Sequence, residues 1–242
     1  MLSMYLPSNT IFIKLKQIYY YKNFFINTMR VLVFDTETTG LLPPKNEALS
    51  KYPFIVQLSW IVYDFGTNKI VSIEDHIVKL PEFIEIPMNA TKIHGITNKK
   101  MKEQGCDIKE VLFKFVSDIK TCTTLIAHNI NFDRRIINVE LMRNGFSKSL
   151  GELRRKEYCT MKKGTDICKL TMKSYYSTKR IPKYPRLTEL HDKLFKTSPK
   201  NIHNALIDIL MCFRCYYKMT QTFDIMNVNP EFDRFYKDVC KM

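Results

Sequence analysis

Apolar residues begin a regular pattern at Val31, where the run VLVF leads directly into DTET. A strand that is apolar on both faces is typical of the centre of a sheet. Two further strand patterns follow, FIVQLSWIVYDF and KIVSIEDHIVKL, and the turn residues Gly66, Thr67 and Asn68 separate them. The first part of the chain therefore predicts three consecutive strands.

Helical spacing of apolar residues becomes frequent after these strands. TNKKMKEQG predicts a short helix, and IKEVLFKFVSDIK predicts an amphipathic helix. The apolar face of the second helix consists of Val111, Leu112, Phe115, Val116 and Ile119. TTLIAHN predicts a short strand with a polar end, and FDRRIINVELMRNG predicts a helix that Gly145 terminates.

The segment from Phe146 to Arg186 is basic, and its pattern predicts irregular structure. LTELHDKLF and HNALIDILMCFRCYYKM then predict two more helices. Three strands followed by a β-α pattern predict an α/β fold with a central mixed sheet flanked by helices.

Residues 1–29 contain lysines and many aromatic residues but no acid. We expect them to be a non-essential leader, with translation starting at Met29; the alternative is a basic, aromatic arm that contacts nucleic acid or a partner. We expect residues 30–222 to form the functional domain and residues 223–242 to form a C-terminal tail or helix.

The chain has 38 basic and 24 acidic residues and a formal net charge of +14. This excess favours a polyanionic partner such as nucleic acid. The alternative is a solvated lysine-rich surface that reflects an A/T-rich genome, such as that of a virus or a parasite. No apolar run is long enough to cross a membrane, and no membrane partner is expected.

The seven cysteines are odd in number and scattered along the chain. This distribution argues against a disulfide framework and favours a reducing intracellular compartment, either the cytoplasm or the nucleus. Cys212 and Cys215 have CxxC spacing, but they lie in a helical pattern without a second pair. Buried thiols therefore explain them better than a zinc site does.

Two carboxylates, Asp35 and Glu37, follow the apolar run of the first strand. Side chains of a strand alternate between its two sides, so these carboxylates lie on the same side. Two negative charges that are partly buried together repel each other and lose hydration. Their proximity therefore predicts a divalent cation between them.

Three further residues extend this carboxylate pattern. Asp133 lies at a helix start, where an isolated aspartate usually complements the helix dipole. Asp208 interrupts the apolar residues of another helix, five positions after His203. Carboxylates suit Mg²⁺ or Mn²⁺, two such ions promote in-line displacement at phosphorus, and a histidine is a suitable base near neutral pH.

The ordered motifs FDTETTGL, HGIT, AHNINFD and HNALIDIL resemble those of the DEDDh (DnaQ-like) exonuclease family. The chain is thereby similar, from Val31 to Met219, to the proofreading epsilon subunit of bacterial DNA polymerase III. The resemblance implies a ribonuclease H-like fold and release of nucleoside monophosphates from a 3′ end. It also implies two divalent metal ions, Mg²⁺ or Mn²⁺, and His203 as the general base. The metal ligands that it implies are Asp35, Glu37, Asp133 and Asp208.

The same resemblance implies four substrate-binding residues. Thr38 and Leu41 would contact the terminal nucleotide, with Leu41 as a wedge against its base. His94 and Asn129 would line the path of the nucleotide or its phosphate. Phe132 either stacks on the substrate or packs in the core, and packing is our expectation.

Between Arg154 and Arg186 eleven basic residues face two acids, and tyrosines lie among them. This composition favours single-stranded nucleic acid, although a long solvated insertion is the alternative. The motifs resemble the epsilon subgroup, which favours an independent 3′–5′ exonuclease that acts on DNA in repair or proofreading. An RNA-directed enzyme, similar to ribonuclease T or oligoribonuclease, is the second hypothesis. A non-catalytic binding module is the third, and the complete set of acids argues against it. Proofreading would require a separate polymerase partner, and no clamp-binding motif is apparent.

Overall fold

The computed structural model describes residues 30–44, 47–197 and 204–240. The predicted leader, residues 1–29, lies outside the described residues. The first strands and helices are β1 (Arg30–Thr38), β2 (Ile55–Asp64), β3 (Lys69–Ile77), α1 (Met88–His94), α2 (Asn98–Gln104) and α3 (Ile108–Thr121). They are followed by β4 (Thr124–Ala127), α4 (Ile130–Arg143), β5 (Lys156–Cys159), α5 (Thr160–Cys168), β6 (Thr171–Lys173) and β7 (Arg180–Pro182). The last helices are α6 (Leu187–Phe195), α7 (Ala205–Gln221) and α8 (Pro230–Cys240).

The main sheet has five strands in the order β3-β2-β1-β4-β5. The pairs β1–β2 and β2–β3 are antiparallel, whereas β4 lies parallel to both β1 and β5. Strands β6 and β7 form a separate antiparallel hairpin. The predicted α/β fold, with three antiparallel strands followed by β-α units, is therefore confirmed.

Strand β1 is apolar on both faces because helices cover both faces of the sheet. Leu32 and Phe34 belong to the core cluster that contains the buried residues of α3 and α4. Val31 and Val33 belong to the cluster that contains the buried residues of α7 and α8. Alternation along the strand then directs Thr36 to the α4 side, and Asp35 and Glu37 to the α7 side.

Helix α3 buries the apolar face that its sequence predicts. Val111, Leu112, Phe115 and Ile119 are buried, and Val116 packs against them with partial exposure. Asp107 begins the helix, because its side chain accepts a hydrogen bond of 2.6 Å from the Lys109 N–H.

The turn after helix α4 uses the glycine that was predicted to terminate the helix. Gly145 has a φ of 78°, in the left-handed region that favours glycine. The Phe146 N–H then donates to the Leu141 carbonyl at 2.9 Å, so the chain reverses immediately after the helix.

The prediction of irregular structure from Phe146 to Arg186 is wrong, because this segment contains β5, α5, β6 and β7. Strand β5 is only four residues long, and it is ordered by its pairing with β4. Helix α5 contains Gly164, where an added Cβ would lie 2.9 Å from Leu190 Cδ1 of α6. Glycine weakens the helical pattern but permits this close helix contact.

The C-terminal part of the described chain packs on the α7 side of the sheet. Phe232, Tyr236 and Cys240 of α8 are buried in the same cluster as α7. Cys212 and Cys215 of α7 are buried, free thiols, as predicted. Among the described residues, no helix is both long and apolar enough to span a membrane.

Candidate active site

Three carboxylates converge at the end of β1, on the side of the sheet that α7 covers. Asp35, Glu37 and Asp208 each offer an oxygen, and these three atoms lie within 4.8 Å of one another. Gln57 lies opposite Glu37 on β2, and its Oε1 accepts a hydrogen bond of 3.3 Å from the Ala205 N–H. This bond holds the first residue of α7 against β2, so that Asp208, in the first turn, reaches the carboxylates of β1.

Asp133 comes from the other side of the sheet, in the first turn of α4. It is 2% exposed, and its Oδ1 accepts hydrogen bonds from the Thr36 N–H at 3.1 Å and from the Thr36 hydroxyl at 2.8 Å. Sequence reasoning missed Thr36. Its position between Asp35 and Glu37 was the available signal, because alternation directs its hydroxyl to the opposite side.

The four residues Asp35, Glu37, Asp133 and Asp208, hereafter the carboxylate cluster, carry a concentrated negative charge. Burial, together with the charges of Asp133, Asp208 and Glu37, raises the pKa of Asp35 well above its ordinary value. Burial and the charges of Asp208 and Asp133 raise the pKa of Glu37 to about 8. Burial raises the pKa of Asp133 to about 7, although both hydrogen bonds from Thr36 act in the opposite direction. The cluster therefore requires protons or a cation to balance its charge.

The junction of β4 and α4 is fixed by His128. Its Nε2 donates to the Pro185 carbonyl at 3.0 Å, and its Nδ1 accepts from the Thr160 hydroxyl at 2.9 Å. Burial lowers the pKa of His128 to about 4, so this ring is neutral. Asn129 follows with a left-handed φ of 69°, and its side chain makes no capping bond to α4. Its half-buried amide is therefore not used by the helix.

The segment after β1 carries two of the predicted substrate contacts. The register between β1 and β2 shifts between Glu37 and Thr38, and the Thr38 hydroxyl donates to the Gly40 carbonyl at 2.7 Å. Leu41 is 87% exposed, so most of this residue is accessible to a ligand. Phe132 packs with partial exposure against the core cluster of α4, in agreement with the packing that we expected.

His94 is the last residue of α1 and is buried. Its Nδ1 accepts a hydrogen bond of 3.1 Å from the Ile96 N–H. Burial lowers its pKa, although the Thr38 backbone is close enough to act in the opposite direction. Within the described part of the chain, Nε2 has no well-formed hydrogen bond. A buried polar atom of this kind is usually satisfied by a water molecule or by a ligand.

His203, the predicted general base, lies outside the described residues and directly precedes Asn204 in the sequence. Its role therefore stays a prediction. The structure brings together the four predicted carboxylates. Thr38 follows Glu37 at the end of β1, and its backbone lies close to His94.

Comparisons with known proteins match this sequence to a family. The model of the exonuclease family matches residues 32–216. DNA polymerase III subunit epsilon of Buchnera aphidicola is 27% identical over 222 residues, covering 89% of this chain and 85% of that protein. The Rickettsia prowazekii protein of the same name is 28% identical over 215 residues, covering 85% of this chain and 82% of its own length.

Among solved structures, E. coli exonuclease I in complex with a dA16 oligonucleotide is similar to this chain with a TM-score of 0.60 and 17% identity. The alignment covers 87% of this chain but only 43% of that chain, and at this identity it supports the fold alone. The family model, in contrast, extends over most of the sequence and includes three members of the carboxylate cluster on β1 and α4 as well as Asp208 on α7. The chain therefore belongs to the exonuclease family of the DnaQ type, and it is a 3′–5′ exonuclease with a ribonuclease H-like fold.

Proposed function

We propose that this exonuclease hydrolyses the last phosphodiester bond of single-stranded DNA and releases nucleoside monophosphates. The carboxylate cluster carries the proposal, because Asp35, Glu37 and Asp208 offer oxygens within 4.8 Å of one another. The relatives named as epsilon subunits of DNA polymerase III support DNA as the substrate. Exonuclease I, which shares the fold, is solved in complex with a dA16 oligonucleotide, and we extend this kind of ligand, a single strand, to the present chain as part of the proposal.

The donor set of the cluster fits divalent metal ions. Carboxylate oxygens are the ligands that Mg²⁺ and Mn²⁺ prefer, and the raised pKa values of Asp35 and Glu37 indicate that positive charge would stabilise both anions. We propose that the four carboxylates would hold two such ions. When bound, such ions supply Lewis-acid stabilisation of the attacking and leaving oxygens in an in-line displacement at phosphorus.

The chain itself would position the substrate and move the proton. His203 would accept the proton of the attacking water, because a histidine changes its charge near neutral pH. The two hydrogen bonds from Thr36 orient Asp133 within the cluster. His94 and Asn129 would line the path of the nucleotide or its phosphate, and the exposed side chain of Leu41 would pack against its base.

The proposed catalytic unit extends over residues 30–222, with residues 1–29 as a leader and residues 223–242 as a C-terminal segment whose helix α8 packs in the same cluster as α7. The relatives are named as subunits of a DNA polymerase, and this favours a separate polymerase as the partner. In that arrangement the enzyme would remove nucleotides from the 3′ end that the polymerase has extended.

The test is degradation of 5′-labelled single-stranded DNA and RNA of one sequence, with Mg²⁺, with Mn²⁺ or with EDTA. We expect a ladder that shortens from the 3′ end, requires metal and forms faster on DNA. Asp208→Asn should lower the rate at least about 100-fold, the order of loss for one group that stabilises transition-state charge. Asp238→Asn, at an exposed aspartate of α8, is the matched control and should retain the rate.

Each component of the proposal has a result that contradicts it. Faster degradation of RNA than of DNA would reverse the assigned sugar preference. An undiminished rate in Asp208→Asn would remove the cluster from catalysis. Binding of both strands without cleavage in either metal would support a non-catalytic binding module.

A further inference from the structure

Strands β6 and β7 form a small hairpin with an unusual surface. The Ser174 N–H donates to the Lys179 carbonyl at 3.0 Å, and Arg180 binds Thr171 through Nε to the hydroxyl at 2.6 Å and through its guanidinium to the carbonyl at 3.0 Å. At the tip, Tyr175 is 87% exposed and Tyr176 is 98% exposed. The chain therefore holds two adjacent aromatic rings in solvent on an ordered support.

The sequence on both sides of these rings carries charge of a single sign. From residue 167 to residue 188 the sequence contains six basic residues and no acidic residue. Lys173 and Lys179 lie on either side of the tip, and both are exposed. This segment presents phosphate-binding charge next to aromatic faces.

The base of the hairpin is attached to the candidate active site. The Lys183 N–H donates to the Leu170 carbonyl at 2.9 Å, and Lys183 Nζ bonds Glu189 Oε1 at 2.5 Å. Two residues further on, the Pro185 carbonyl accepts the hydrogen bond from His128, the residue before Asn129. With about 3.3 Å per strand residue, the tip lies up to roughly 16 Å from Leu170.

We propose that the β6–β7 hairpin binds the single strand of nucleic acid upstream of the 3′-terminal nucleotide. Tyr175 and Tyr176 stack on bases, and Lys173 and Lys179 contact phosphates, which is the combination that binds single strands without sequence preference. The inference rests on the proposed function for the location of the 3′ end. It adds a second contact region, which makes affinity depend on the length of the strand.

Exposed aromatic and basic residues also suit the surface of an anionic membrane. Nucleic acid is the better occupant, because the hairpin base is bonded to the residue that precedes Asn129 and the carboxylate cluster belongs to a nuclease. A nucleic-acid strand whose 3′ end is bound at the carboxylate cluster can therefore contact the hairpin with its upstream nucleotides.

The experiment measures binding of labelled DNA and RNA strands of about 4 and about 16 nucleotides, the range of site sizes of single-strand-binding folds. EDTA is present, so that affinity is measured without turnover and independently of the proposed reaction. Tyr175→Ala/Tyr176→Ala should weaken binding of the long strand at least about fivefold per ring, with a smaller loss for the short strand. Tyr175→Phe/Tyr176→Phe keeps both rings and should retain the wild-type length dependence.

The lysines have a separate readout, the dependence of binding on salt. Lys173→Gln/Lys179→Gln should lower the slope of log K against log salt by about 0.7 for each phosphate contact that is lost. Lys109→Gln/Lys120→Gln removes the same charge from exposed positions of α3 and should keep the wild-type slope.

Equal affinity of the wild type and the Tyr175→Ala/Tyr176→Ala variant for long strands would overturn the proposal. A loss that is the same for short and long strands would also overturn it. A variant that keeps its affinity for strands but loses affinity for vesicles containing phosphatidylserine would assign the hairpin to a membrane instead. None of these results depends on cleavage, so failure of the hairpin and failure of the proposed reaction are distinguishable.

Discussion

The burial of Glu37 changes both its protonation and its readiness to bind a cation. It lies on a strand end beside three other carboxylates, and burial with the charges of Asp208 and Asp133 raises its pKa to about 8. Without a cation, Glu37 is therefore mostly protonated at neutral pH. A divalent ion would favour the ionised form and release that proton, because carboxylates bind metal when they are deprotonated.

The stability of the metal-free protein should reflect this raised pKa. Between the ordinary pKa of 4.5 and the folded value of about 8, the native state binds more protons than the unfolded chain does. Stability therefore falls as the pH rises through this window. Glu37→Gln cannot ionise, so in EDTA above pH 8 we expect it to melt above the wild type, by about 2–4 °C for each 1 kcal/mol of repulsion removed.

Thermal unfolding followed by circular dichroism, across pH and with or without Mg²⁺, measures this effect. The advantage of Glu37→Gln should shrink towards pH 4.5, and added Mg²⁺ should stabilise the wild type more than the variant. Glu82→Gln, at an exposed glutamate outside the cluster, should follow the wild type. Identical melting of the wild type and Glu37→Gln in EDTA at every pH would contradict the argument.

At the scale of elements, helix α4 organises the candidate site at both of its ends. Its first turn carries Asp133, and its last turn carries Arg143.

The guanidinium of Arg143 bonds Glu140 at 2.8 Å and lies 4.0 Å from the centre of the Phe54 ring. It also donates to the carbonyls of Leu49, Tyr52 and Pro53 at 2.6, 2.7 and 3.0 Å. Phe54 in turn exchanges two bonds of 3.0 Å with Thr39, the residue after Thr38.

Arg143 is therefore expected to support the substrate-binding segment without touching the substrate. Arg143→Ala removes the ion-pair partner of the buried Glu140 carboxylate, at a cost of about 3–5 kcal/mol in the free energy of unfolding. The altered position of Thr38 and Leu41 should raise KM, by up to about 100-fold for a displacement near 1 Å, with a smaller change in kcat. Arg143→Lys retains the charge and should give an intermediate result.

Urea unfolding and steady-state kinetics measure the two consequences separately. Arg234→Ala, at an exposed arginine of α8, is the control and should change neither quantity. A normal KM in a folded but destabilised Arg143→Ala protein would show that the contacts of Arg143 affect stability alone.

The elements also show which features a single sequence can predict. β1, α3 and α7 have local patterns, because their apolar residues repeat with the period of a strand or a helix. The strand β5 and the hairpin β6–β7 were missed, since they contain few residues and depend on pairing partners. Helix α1 was also missed, because its seven residues have no clear apolar period. In the site, alternation along β1 predicts that Asp35 and Glu37 lie on the same side. The role of Thr36 depends on its hydrogen bond to Asp133, which lies 97 positions away in the sequence.

At the scale of the whole molecule, a buried polar network joins the three C-terminal helices. α6 contributes His191, α7 contributes Arg214 and α8 contributes Tyr236, all of which are buried. Arg214 bonds Asp224 through Nε and through its second guanidinium nitrogen, the shortest distance being 2.6 Å. Because α7 also carries Asp208, the network connects the packing of α6 and α8 to the helix that completes the carboxylate cluster.

His191 makes this network sensitive to acid. Its Nδ1–H donates to the Thr197 carbonyl at 2.7 Å, so Nε2 accepts from the Tyr236 hydroxyl at 2.9 Å and from Arg214 at 3.4 Å. A proton on Nε2 would remove the bond from Arg214, require the Tyr236 hydroxyl to accept instead of donate, and place a positive charge beside Arg214. Burial, with a further contribution from Arg214, accordingly lowers the pKa of His191 from 6.5 to about 4.

The sign of the resulting pH dependence follows from proton binding. Between pH 4 and pH 6.5 the unfolded chain binds more protons at His191 than the native state does, so stability falls as the pH is lowered through this window. Lowering a pKa by one corresponds to about 1.4 kcal/mol of free energy. Acidification through this window should therefore lower the free energy of unfolding by about 3 kcal/mol through His191. We expect the difference in the free energy of unfolding between the wild type and His191→Gln to change by this amount, as measured by urea unfolding at a series of pH values.

Taking the difference cancels the contribution of Glu37, which has the opposite sign and is common to both proteins. His128→Gln should show a change of the same sign, because burial lowers the pKa of His128 to about 4 as well. A difference that stays constant with pH would mean that His191 accepts its proton equally in both states, and the network would then be a packing feature without a role in acid unfolding.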